Sequence, residues 1–200
     1  MADVLTTTAA SVSAVLSGRA TPGVQDTAAA GVALEQVRDF LSELKEPSET
    51  EAERFRMTST LHALDHTSRL VGVLAGGWPP GRSAGVPQDL RAAELCTQAM
   101  RATQTAGVAI TSESALSMQA ETISWNVSPE VAVALAEVEG AARELDALQR
   151  DYRATTLASV APGRLTAADA FKRIDAAQEL DRIAHHAWHS AAHLFGRGDA

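Results

Sequence analysis

The segment QELDRIAHHAWHSAAHL, residues 178–194, carries four of the chain's six histidines: His185, His186, His189 and His193. Asp181 precedes the first of them by four residues. On a helix, side chains at i and i+4 are neighbours, so Asp181 and His185 can reach one metal ion, and His189 continues the same row. Two ligands are too few for tight binding, and the rest must come from another helix. Residues 55–70, FRMTSTLHALDHTSRL, offer His62, Asp65 and Arg69 within roughly 60° of one another on a helical projection. His62 and Asp65, at i and i+3, form a second candidate ligand pair. Arg69 opposes that reading, because at i+4 it can neutralise Asp65 through a plain ion pair. The expected metal position is therefore Asp181, His185 and His189, with His62 and Asp65 as the second source of ligands. The simpler alternative is a polar helix edge with one salt bridge and solvated histidines.

The elements that hold these residues read as helices. Ala, Leu, Glu, Gln and Arg dominate, and aromatics make up only 4% of the 200 residues. Breakers divide the chain at SGRATPG (17–23), GGWPPGRSAGVP (76–87), NVSPE (126–130) and APGRLT (161–166). The expected helices cover about 3–16, 25–46, 49–75, 88–123, 129–160 and 166–195, the fourth with a bend at Gly107. Ser48 and Glu51 read as a capping box, Ser128 and Pro129 as a helix start, and Thr166 as the cap of the last helix. In that last helix Leu180, Ile183, Ala184, Ala187, Ala191 and Leu194 share the apolar face. Asp181, His185 and His189 border it, with Trp188 at its edge, while Arg182, His186 and His193 fall toward solvent. Trp188 either packs on the fourth or fifth helix or meets a partner, a second copy of the chain included.

Length, charge and motifs bound the function. The net charge of −8 and pI of about 5.2 leave no basic footprint for nucleic acid. One cysteine, Cys96, excludes a disulfide framework and reads as a buried small hydrophobe. Neither a signal peptide nor a membrane-length apolar run is visible, so a cytoplasmic protein is expected. Zinc-protease, P-loop and dinucleotide patterns are missing from the sequence. Asp65-His66 is in the wrong order for an HD-type phosphohydrolase. A histidine phosphotransfer module remains open, with His62, His66, His186 and His193 all eligible.

The two halves are alike. Arg38-Asp39-Phe40 parallels Arg150-Asp151-Tyr152, and Pro47 and Pro162 break the two hairpins. Leu64-Asp65 and Leu180-Asp181 then follow those prolines at nearly equal distances. This pattern, with Leu180-Asp181-Arg182-Ile183-Ala184-His185 and its weaker copy Leu64-Asp65-His66-Thr67-Ser68-Arg69, resembles the PhoU-like domains. These are the phosphate-uptake regulator and the cytoplasmic C-terminal region of bacterial sodium/phosphate cotransporters. FRMTSTLHALDHTSRL is closer to the cotransporter-associated branch, and the likeness spans about 24–76 and 129–195.

The resemblance implies an all-α, six-helix bundle of two three-helix repeats, 1–86 and 87–200, forming one compact domain. It further implies a non-enzymatic regulatory role, with a phosphate transporter or the membrane domain of a sodium/phosphate cotransporter as partner. In such domains acidic side chains hold iron, zinc or similar cations. Asp65 and Asp181 match the first acid of that pattern, but the second is Arg69 in one repeat and His185 in the other. The acidic motif of the preceding helix is missing near Thr21-Pro22-Gly23, and in the second repeat Glu137, Glu139 or Asp146 could replace it. A helical metal-binding protein with an Asp/His site is the alternative function.

Overall fold

The structure is a computed structural model and describes residues 1–19, 24–43, 50–75, 86–117 and 127–197. Six α-helices account for it: α1 (Ala2–Leu16), α2 (Val24–Glu43), α3 (Glu51–Ala75), α4 (Pro87–Ser117), α5 (Pro129–Ala158) and α6 (Ala167–Leu194). Among the described residues there is no strand, so the expected all-α bundle is what forms. No helix among them is long and apolar enough to cross a membrane.

Local signals set the helix ends. Pro129 opens α5, where its missing N–H costs nothing, and the Ser128 side chain accepts from the Val131 N–H at 3.4 Å. Thr166 Oγ1 accepts from the Asp169 N–H at 3.1 Å at the start of α6. At α3 the reciprocal capping box is Thr50 with Glu53, at 3.0 and 3.1 Å. That is two residues beyond the Ser48–Glu51 pair expected from the sequence, and Ser48 lies outside the described residues. Between α5 and α6 the chain reverses at Gly163, whose φ of 72° suits a residue without Cβ.

The main core is built mostly by α1, α4, α5 and α6. Leu5, Leu95, Met100, Leu145 and Ile183 are fully enclosed, and many alanines lie between them. Each enclosed leucine or isoleucine contributes about 1.5–3 kcal/mol by burial, and the alanines let the backbones approach closely. The helix α4 runs without interruption through Gly107. The glycine serves a close approach there: a Cβ added to it would run into Thr6 Oγ1 of α1. A smaller core of Leu34, Leu64 and Val71 joins α2 to α3.

The packing order places the candidate residues. α4, α5 and α6 all pack on one another, α1 packs on α4, and α3 packs on α6. The last helix is therefore covered on two sides, by the main core and by α3. The interface between α3 and α6 is lined by small and polar side chains. Thr67 Oγ1 lies 2.7 Å from the Ala63 carbonyl and 3.2 Å from Ser190 Oγ, and both Thr67 and Ser190 are buried.

Candidate metal centre

Small residues at Ala63, Thr67, Ala187 and Ser190 bring α3 and α6 together, and the space beside them is filled by imidazoles. All six histidines of the chain lie on these two helices. His62 and His66 are one turn apart on α3; His185, His189 and His193 are successive turns of α6, with His186 beside them. His66 is the hub. Its ring centroid lies 4.8 Å from His189, 5.4 Å from His186, 5.8 Å from His193 and 5.9 Å from His185. Its Nδ1 is 3.1 Å from His186 Nδ1. His62 stacks on His193 at 4.8 Å, which extends the array by one more ring. On the other flank His189 meets the edge of Trp188 at 4.1 Å.

Burial and mutual repulsion keep the centre of this array uncharged. His66 is held down at about 4, first by burial and then by His186, His185 and His193, with Asp65 pulling the other way. His186 is also held at about 4, by burial, then His185 and Arg69, again opposed by Asp65. Both rings are neutral at pH 7. The 3.1 Å pair then requires one Nδ1 to carry the hydrogen and the other to accept it. Neutral imidazole is also the metal-ligating form.

Two groups of three bring their donor atoms within 4.8 Å of one another: His66, His189 and His193, and His66, His185 and His186. Of the residues named from the sequence, His185 and His189 belong to these groups. Asp181 belongs to neither. It is half-buried, and its carboxyl is pushed up by burial and then by Asp146 of α5, against the pull of His185, Arg150 and Arg182. Two of these four charged groups, Asp146 and Arg150, are on α5 and two on α6 itself. Asp65 is exposed and spans 2.9 Å to Arg69, the ion pair that the i+4 spacing allowed. His62 reaches His193 rather than pairing with Asp65.

Helical projection of α6 alone misplaced three residues. His186 and His193 were expected toward solvent and His185 at the core border. In the structure His193 is 4% exposed, His186 is half-buried and His185 is exposed. The projection recognised one packed face, whereas α3 covers a second. The signal for that second face was present in the small residue Ser190, which meets Thr67 of α3, and in the confinement of every histidine to two helices. His66, which the sequence reading did not count among the metal ligands, stands at i+4 from His62.

The acidic cation cluster implied by the PhoU-like resemblance does not fit these residues. Arg69 occupies the second acid position and neutralises Asp65. Of the stand-ins, Asp146 is paired with Arg150 at 2.7 Å and Glu139 with Arg143. Glu137 lines a groove with residues of α1 and α4, remote in the fold from the α3–α6 seam. The donor set gathered here is nitrogen, not carboxylate. Trp188 is half-buried against the main core, beside Leu135 and Ala136 of α5. No family model, curated protein or solved structure matches the chain.

Proposed function

We propose that the chain is a non-enzymatic regulatory domain of the PhoU-like kind, acting on phosphate transport through its helical surface. The observation that carries the reading is the order of packing. Two of the three pairs of helices at matching places in the two halves, α1 with α4 and α3 with α6, pack on each other, while α2 and α5 do not meet among the described residues. The Leu-Asp pairs at 64–65 and 180–181 lie on the second of these helix pairs. A duplicated three-helix unit accounts for both facts, and repeated helical units commonly present their surface to a partner.

The surface of the α2–α3 hairpin supports a partner role. Phe40 on α2 and Phe55 on α3 are 63% and 42% exposed, on a hairpin whose core holds three buried apolar residues among those described. Large aromatic side chains of this kind are enriched at protein interfaces. The partner in this reading is the membrane domain of a sodium/phosphate cotransporter. The test is binding between the tag-free chain and that domain, taken from the same organism and held in detergent. A saturable complex weakened by Phe40→Ser and Phe55→Ser is expected. Absence of binding by the folded wild-type chain would reject the reading.

A further inference from the structure

We infer that the seam between α3 and α6 is a binding site for one borderline divalent transition-metal ion, held by His66, His189 and His193. The inference stands on ring geometry and is independent of the regulatory reading. With metal–nitrogen distances of about 2.0–2.1 Å in a tetrahedral site, neighbouring ligand nitrogens sit about 3.3 Å apart and their ring centroids about 5 Å apart. The three centroid spacings here are 4.8, 5.8 and 6.2 Å. The donor atoms already lie within 4.8 Å of one another, so closing them around an ion requires them to approach by about 1.5 Å at most.

Two features favour this trio over His66, His185 and His186, and a third, the cross-link through His66, is common to both. His189 and His193 are one turn apart on one face of α6, the spacing at which a helix offers two ligands to one ion. His66 enters from the facing helix, so the site cross-links α3 to α6. His193 is 4% exposed, which fixes its ring, whereas His185 is exposed and sits next in sequence to a ring about 100° round the helix.

Ligand chemistry sets the ion class. Three neutral nitrogens suit zinc, cobalt, nickel or copper and are poor for calcium or magnesium, which take oxygen. Three protein ligands leave a fourth position for water or for a donor from a partner.

The test uses tag-free full-length chain, stripped with chelator and titrated with zinc by calorimetry and with cobalt by visible absorption. One ion per chain is expected, with a tetrahedral cobalt spectrum and no response to magnesium. His66→Gln and the pair His189→Gln/His193→Gln should each weaken binding by on the order of 100-fold or more, at least as much as losing an outer-shell partner. The pair His185→Gln/His186→Gln should retain the ion. Unchanged far-ultraviolet dichroism certifies that each variant is folded, and a variant that fails it is replaced by the His→Asn form. Binding that survives His66→Gln would overturn the site. So would loss confined to His185→Gln/His186→Gln, or a wild-type chain that takes up no ion.

Discussion

Acid should loosen the seam between α3 and α6 in the metal-free chain, by an amount the imidazole array sets. His66 and His186 titrate near 4 in the folded protein, whereas an unfolded histidine titrates near 6.5. Above pH 6.5 both states hold these rings neutral and stability does not change. As pH falls below 6.5 the unfolded chain takes up protons that the folded chain refuses, so stability is lost, and the loss levels off near pH 4. At about 1.4 kcal/mol per pKa unit, the limit is about 3 kcal/mol per ring, of which about 2 kcal/mol is reached at pH 5. Solvent screening at these half-buried rings argues for about 2 kcal/mol from the pair together at pH 5. The carboxyl of Asp181 works in the opposite sense, since its raised value gains stability as pH falls through it. The comparison must therefore be made against a variant that keeps Asp181. Urea unfolding in chelator at pH 7.5, 6 and 5, for wild type and His66→Gln/His186→Gln, isolates the effect. The wild-type midpoint should fall by about 1 M more than the variant's between pH 7.5 and 5, given a typical slope near 2 kcal/mol per M. Equal falls in the two proteins would refute the reasoning.

Other perturbations test the packing. Gly107→Ala should lower the melting temperature, because overpacking against Thr6 costs about 1–3 kcal/mol and exceeds the helix-propensity gain of about 1 kcal/mol. Gly140→Ala in α5, where an added Cβ meets nothing within 4 Å, should raise it by the equivalent of up to about 1 kcal/mol. Ile183→Ala empties a fully enclosed site and should cost about 2–5 kcal/mol by chemical denaturation. Asp65→Asn removes an exposed i,i+4 ion pair and should change stability by less than about 0.5 kcal/mol. Cys96 is buried, and burial pushes its thiol well up, so a thiol reagent should modify it only after unfolding.

The fold was legible because its signals are local. Pro129, Ser128, Thr166 and the glycine after Pro162 act within a few residues, and they mark α5 and α6 to within a residue or two of the observed ends. The site was legible only in part. The ion pair of Asp65 and Arg69 and the row of His185 and His189 follow from spacing on one helix. Which flank of α6 meets another helix is a tertiary fact that no single-helix projection contains. For that reason Asp181 was read with its neighbours on α6, although Asp146 and Arg150 of α5 also act on it. For the same reason His186 and His193 were left at the solvent side although α3 covers them.

Phosphate uptake tests the central claim most directly. Cells of the source organism lacking this chain, and the same cells supplied with wild type or with Phe40→Ser/Phe55→Ser, are followed for labelled phosphate uptake before and after phosphate starvation. A regulatory domain predicts uptake that changes when the chain is removed, returns with wild type, and returns less with the variant, with all proteins present at equal levels. Uptake that is the same with and without the chain, under both conditions, would contradict it.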